Sequence, residues 1–276
     1  MNTLHHSRIY IFLFSMIIVK GVYSQDTVYL NKAPDTTELK VNQELYPNIS
    51  SKGLMTPSAW GSSGTFIFGF IGGTFPQAYT NLSDLVAGVG LGFGNSHKIV
   101  SVVGVFNVNN VSDFKTFSTS FTVSRYIAKG SSMSIGALNL FAGKASDAGA
   151  SLFLAYSHAS QKMPSKTPGY SRLSYTLGVG NGRFYDKSPK DISMNRGAHG
   201  TAVFANLSFG VVKNLNINAE WSGVNFGFGI AWRPNIPIKF PFKLPAIGIG
   251  VADLTRLSGE KPRLILSLSH SFFLSK

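Results

Sequence analysis

The chain has no cysteine. That excludes a disulfide framework and a thiolate metal site. Charge is also scarce: Asp, Glu, Lys and Arg make up 13% of the residues, where a soluble globular domain carries about a quarter. Acidic residues are the scarcest, 12 against 25 basic, and the formal net charge is +13. A basic excess of this size fits anionic neighbours, and nothing in the pattern points to nucleic acid. Beyond residue 20 there is no long apolar run, so no helix of the roughly 20 apolar residues that cross a bilayer is predicted there.

The first 24 residues read as a secretory signal: a basic start through Arg8, an apolar stretch over 9–19, then Val22 and Ser24 before a cut at Gln25. An uncleaved anchor helix is the alternative. Cleavage would remove Arg8 and Lys20, taking the charge from +13 to +11. Residues 25–52 have no sustained period and read as a periplasmic N-terminal segment, with a plug in the lumen as the alternative. The remainder, 53–276, holds nearly all of the chain's 29 Gly and 22 Phe.

Residues 214–233 show what that composition builds. Leu215, Ile217, Ala219 and Trp221 alternate with Asn214, Asn216, Asn218 and Glu220. After Ser222-Gly223, Val224, Phe226, Phe228, Ile230 and Trp232 alternate with Asn225, Gly227, Gly229, Ala231 and Arg233. Period two marks strands, and Ser-Gly between two such runs marks a hairpin. One face is large and apolar, with Trp near strand ends. The other is Asn, Gly and Ser, too small and polar for a dry core. This fits a barrel with lipid outside and a polar lumen inside. Similar runs fall near 64–73, 82–94, 98–107, 116–126, 133–142, 150–160, 172–182, 201–210, 246–253 and 263–273. The predicted fold is all-β: a transmembrane antiparallel up-and-down β-barrel of about 12 strands. A soluble sandwich would lack side chains to fill its core. Pro237, Pro241 and Pro245 keep 236–245 out of a central ladder. With an even strand count both termini share one side, so Asn95-Ser96, 128–130 and 211–213 are expected as periplasmic turns, and 109–114 and 183–198 as extracellular loops.

Two places carry a resemblance. Gly53-Leu54-Met55-Thr56-Pro57-Ser58-Ala59 stands before the first strand, and Ala219-Glu220-Trp221-Ser222-Gly223 leads into Asn225-Phe226-Gly227. Together they resemble a family of outer-membrane barrels linked to exopolysaccharide and capsule production. In that family Tyr and Asp stand where this chain has Trp221 and Ser222. The resemblance implies a non-enzymatic envelope protein, accessory to surface-polysaccharide export or assembly, and supplies no catalytic residue. The last strand, with Phe272 and Phe273, resembles the terminal strand by which the barrel-assembly machinery recognises its clients, although Leu274-Ser275-Lys276 follow.

Catalytic chemistry is hard to place. His158 and His270 fall on predicted outward faces, and Ser157 and Ser269 beside them point the other way, so no base–nucleophile pair is implied. His97 and His199 lack ligand-spaced partners, and no metal or cofactor site is expected. The Gly88–Gly94 run has period two and no helix after it, which argues against a nucleotide loop. Four charges are predicted to face the lumen: Arg172, Glu220, Arg233 and Asp253. They brace the wall, or they line a path for an anionic solute. A net-positive loop, 183–198, offers Arg183, Lys187, Lys190 and Arg196, and could fold into the lumen or outward onto lipopolysaccharide phosphates.

The reading is an outer-membrane barrel with outer-membrane lipid, lipopolysaccharide and the assembly machinery as partners, and a polysaccharide or anionic solute as cargo. A porin-like channel for small anionic solutes and an outer-membrane lipase-type enzyme are the alternatives.

Overall fold

The structure is a computed structural model that describes residues 44–48, 52–76, 84–112, 114–142, 149–234, 245–259 and 261–275. Its strands in chain order are β1 (Tyr46–Pro47), β2 (Thr65–Phe75), β3 (Asp84–Gly94), β4 (Ser101–Asn110), β5 (Lys115–Ala128), β6 (Ser131–Leu140), β7 (Ser151–Ala159) and β8 (Tyr170–Ser171). They continue with β9 (Leu173–Gly180), β10 (Val203–Val212), β11 (Leu215–Trp221), β12 (Phe226–Trp232), β13 (Ala246–Ala252) and β14 (Arg263–Ser275). One short helix, α1 (Pro189–Ser193), lies between β9 and β10.

All of these strands except β1 and β8 form one closed barrel of twelve antiparallel strands. Neighbours in sequence are neighbours in the wall, and β14 closes the ring on β2, from Leu264 opposite Phe75 to Phe273 opposite Phe66. Closure leaves no unpaired edge. The expected all-β, up-and-down, twelve-stranded fold is the one observed.

The two ends of the barrel differ. One end, here the terminal end, carries the start of β2, the end of β14, the 95–100 and 128–131 turns, the 160–172 connection and the 213–214 turn. The opposite loop end carries 111–112, 114, 181–202, 222–225, 253–259 and 261–262. The turns and loops expected on opposite sides are thus separated. The proline-bearing connection 236–245 lies almost wholly outside the described residues, as do 1–43.

The outer wall is apolar. Val89, Ile135, Leu152, Leu177, Phe228 and Leu266 are all exposed on it. Trp221 and Trp232 mark the two ends of the β11–β12 hairpin; at the loop end the Trp221 Nε1–H donates to Thr201 Oγ1 at 2.9 Å. Such an apolar band, with aromatics at its rims, would be unstable facing water.

The inner face departs from expectation. It is not uniformly small and polar. Phe66, Phe68 and Phe70 of β2 stand opposite Gly92, Gly90 and Gly88 of β3, on the side away from exposed Val89, Leu91 and Phe93. A Cβ on Gly88 would meet the Phe70 ring at 2.6 Å, and one on Gly90 or Gly92 would collide with Phe68 or Phe66. The glycines of β3 are seats for these rings. Across the lumen, Phe153 of β7, Phe204 of β10 and Phe184 from the β9–β10 loop are buried with Ala59 and Ala155. Phe184 stacks on Phe204 with centroids 4.5 Å apart. Burying each such ring contributes about 1.5–3 kcal/mol. The lumen therefore has a small apolar core of its own.

Candidate functional site

What occupies one side of that lumen is the chain itself. Residues 53–63, read above as the approach to the first strand, cross the barrel interior before entering the wall. The backbone N–H groups of Leu54, Met55 and Thr56 donate to the Glu220 carboxylate at 2.5, 2.9 and 3.0 Å, and the Thr56 hydroxyl adds a fourth bond at 3.0 Å. Three successive N–H groups converging on one anion form a nest, which this aperiodic stretch can adopt because no ladder claims its donors. Gly53 is required by close approach: a Cβ there would lie 2.9 Å from both Asn206 Nδ2 and Glu220 Oε2. Farther on, Ala59 N donates to Ser157 Oγ at 2.9 Å, Ser132 Oγ donates to the Ala59 carbonyl at 2.6 Å, and Ser62 N donates to Ser101 Oγ at 3.1 Å. The segment is thus pinned to β11, β7, β6 and β4 in turn.

Its side chains explain the glycines of the β12–β13 wall. Leu54 lies where a Cβ on Gly248 or Gly250 would be, at 2.6 Å in each case, and Met55 fills the space over Gly227. The pattern of Gly on alternate inward positions, read as lining for water, instead seats Leu54 and Met55. Glu44, Leu45 and β1 continue the tether at the terminal end. Glu44 accepts from Gly130 N at 2.6 Å, Leu45 N donates to Gln161 Oε1 at 2.9 Å, and β1 pairs in parallel with β8. The described part of the expected periplasmic segment is therefore bound across the mouth of the barrel.

Glu220 is 2% exposed, so its charge needs compensation. The nest supplies much of it. Arg183, from the β9–β10 loop, reaches the same place and donates from Nη2 to the Met55 carbonyl at 3.4 Å. Arg183 keeps an exposed surface; partial desolvation among the packed loops, and then the neighbouring Arg263 guanidinium, push it down from its ordinary value, while Glu220 pulls it back up.

The other expected lumen charges are placed as follows. Arg233 is buried on the inner side after β12, with its backbone N–H bonded to the Asn214 carbonyl at 2.8 Å. Asp253 is buried at the loop end, where it accepts from Asn225 Nδ2 at 3.0 Å and from Arg263 Nε. Arg172 is a correction. It is exposed, its guanidinium lies 4.5 Å over the Phe209 ring, and Nε donates to the Gly210 carbonyl at 3.1 Å. Phe209 shares its face with outward Val203 and Leu207. The β9 ladder begins only at Leu173, and Gly210 opposite has no side chain to block the path, so Arg172 curls around the rim onto an outer aromatic. The four charges do not form one cluster.

The basic loop also divides. Arg183 and Phe184 turn inward. Lys187 Nζ donates to the Arg196 carbonyl at 2.6 Å, Lys190 is exposed, and Arg196 pairs with Asp191 at 3.4 Å. Sequence reading counts Asp191, with Asp186, only as an acid offsetting the basic loop; the residue is fully buried. It accepts from Ser258 Oγ at 2.5 Å and from Gly259 N at 3.0 Å, and its own N–H is bonded by Ser188 Oγ, the cap of α1. Asn225 grips the same β13–β14 loop through Ser258 O, Leu257 N and Thr255 Oγ1. Three loops are thus latched over the loop end. Asp191→Ala leaves these donors unmatched and should weaken loop docking by about 3–5 kcal/mol. Trypsin should then cut at Lys190 in the folded barrel while the wild type resists; equal resistance would contradict the latch.

His158 does meet a serine hydroxyl, across the strand pair and not beside it in sequence. Ser131, not considered above, lies opposite His158 and its Oγ is 2.8 Å from Nδ1. The same Oγ is 3.0 Å from the Tyr156 hydroxyl, and among the described residues no carboxylate or amide is bonded to the imidazole to orient it as a base. The described residues hold no group of three or more His, Asp or Glu suited to a metal.

No protein-family model matches the sequence, and no curated protein matches it. Among solved structures, the chain is similar to a KdgM porin, with 9% identity over 75% of this chain and 98% of that one, at a TM-score of 0.42. It is also similar to outer membrane phospholipase A from Escherichia coli, with 6% identity over 78% and 94% and a TM-score of 0.39. A third is the Salmonella typhi outer membrane phospholipase dimer with bound calcium, with 7% identity over 78% and 91% and a TM-score of 0.36. None of these likenesses carries an argument for activity.

Proposed function

We propose that the protein is a non-enzymatic barrel of the outer membrane whose lumen is held closed by residues 53–63, serving as an accessory in surface-polysaccharide export or assembly. The terminal end faces the periplasm in this reading, and the latched loops face outward. The observation that carries it is the wall behind the segment. Asn206 Nδ2, Asn216 Oδ1 and both amide atoms of Asn218 are buried without a hydrogen-bond partner among the described residues. Leaving such groups dry costs about 1–3 kcal/mol each. A wall made only to hold a permanent core would be apolar. Amides and serines suit a surface that meets water or sugar hydroxyls when the segment leaves. The resemblance at Gly53–Ala59 and Ala219–Gly227 supports the polysaccharide role, and the first of those stretches is the inner segment itself.

A porin-like channel for small anionic solutes is the second reading. It is favoured by the inner faces of β14 and β2, where Ser269 is exposed and Phe66, Phe68 and Phe70 are half-buried, and by the cations Arg183 and Arg233 on the inner side. Single-channel recording in planar bilayers, paired with surface-polysaccharide staining of a deletion strain, separates the two. The proposal expects no steady current from the wild type and a loss of polysaccharide on deletion. A steady anion-selective current with polysaccharide unchanged would establish the channel instead.

A further inference from the structure

The displaced Arg172 leaves a feature the lumen does not explain. At the terminal rim, Ser165, Lys166, Arg172, Gly210, Val211 and Val212 line one small notch of about 10 Å³, so that a larger group would sit on its lip against Arg172. The Arg172 guanidinium is fixed there by the Phe209 face and by its Nε–H bond to Gly210 O. Its two terminal nitrogens meet no protein acceptor among the described residues. Lys166 is exposed beside it, and Val211 and Val212 are exposed on the wall side of the notch.

We propose that this notch binds the phosphate of an anionic phospholipid headgroup in the membrane leaflet at the terminal end. The inference rests on the reading of the protein as a membrane barrel, but not on the lumen being closed. A planar guanidinium whose outer edge is presented and whose torsions are already held matches two phosphate oxygens in a fork. Preorganisation removes much of the ordering cost of binding. The ammonium of Lys166 supplies the second charge. The headgroup would sit at the level of the notch, and its acyl chains would run down the apolar wall past Val212 and Phe209, which is where lipid chains lie against a barrel. The rest of the rim draws the same kind of lipid: Lys98, Lys129, Lys162 and Lys213 are exposed on this end. The one acidic side chain there among the described residues, Glu44, is bonded to Gly130 N.

The test is to insert the full chain into phosphatidylcholine vesicles containing a minor fraction of phosphatidylglycerol, extract it gently, and weigh the retained lipid by native mass spectrometry. The wild type should be enriched in phosphatidylglycerol by about tenfold or more over the bulk ratio, as one charge-assisted pair would give. The double variant K166Q/R172Q should lose that enrichment, R172K should keep part of it, and K98Q on another part of the rim should keep all of it. Retention in the bulk ratio by the wild type overturns the site. So does equal loss in K98Q, which would mean diffuse attraction to the rim, or displacement of the lipid by equimolar inorganic phosphate, which would mean a free-anion site. Insertion into pure phosphatidylcholine, read by protease protection, is scored separately; its failure in the wild type would overturn the membrane reading as well.

Discussion

Glu220→Ala should free the inner segment. The wild-type carboxylate collects three backbone N–H groups and the Thr56 hydroxyl, between 2.5 and 3.0 Å. Alanine keeps the strand register, because the wall pairs Glu220 with Asn206 and Gly227 through backbone alone, but leaves those donors buried without an acceptor. Breaking a buried charged network of this kind costs about 3–5 kcal/mol, charged to the docking of residues 53–63 and not to the barrel. The segment should then become accessible to proteases added from the terminal side. Channel activity should appear in planar bilayers, where the closed reading expects none from the wild type. Glu220→Gln retains one acceptor oxygen and should fall between. A Glu220→Ala barrel as closed and as resistant as the wild type would show that the nest is not what holds the segment.

The second large effect is on the outer wall. Phe228 is near the middle of β12 and 48% exposed on the outside. If that surface meets hydrocarbon, Phe228→Arg should cost about 2–4 kcal/mol of barrel stability in bilayers, read as a shift in the refolding midpoint in urea. The same substitution would be close to neutral on a surface that meets water. Gly227 next to it faces inward. Replacement of Gly227 by serine is expected to displace Met55, so it should loosen the inner segment while leaving the refolding of the wall unchanged. It is not the silent position that a water-lined wall would offer.

The wall was legible in the sequence because its information is local. On β5, Phe117, Phe121 and Val123 alternate with Ser118, Ser120 and Ser124, and the outer and inner sets fall as their chemistry predicts. Period two gives two faces but not their direction, and that is where reading failed. Phe66, Phe68 and Phe70 share one face by period two, and the count does not say which. Their direction is set by Gly92, Gly90 and Gly88 on the neighbouring strand, whose missing side chains open space on the inside. That signal was present, as glycine on every second residue of β3, but it spoke about β2. Arg172 fits an inward count by alternation, yet the count holds only inside a ladder, and the ladder starts one residue later. Residues 53–62 have no period because they belong to no sheet. What orders them is Glu220, more than 160 positions away, and no local pattern reports a partner at that distance. Asp191 was hidden for the same reason: it looks like one acidic residue in a basic loop, and only the fold brings Ser258 and Gly259 to it.

The most direct test of the account is where residue 54 lies in the folded barrel. The chain has no cysteine of its own, so a pair can be introduced at Leu54 and Gly248, where a Cβ at 248 would sit 2.6 Å from the present Leu54 side chain and meet only side-chain atoms. A short thiol–thiol crosslinker applied to the folded double variant should join the two in high yield, seen as a shift in gel mobility after denaturation. Single Leu54→Cys should resist a bulky water-soluble maleimide until the barrel is unfolded. Absence of the crosslink, together with rapid labelling of position 54 in the folded protein, would place the segment outside the lumen and contradict the closed barrel.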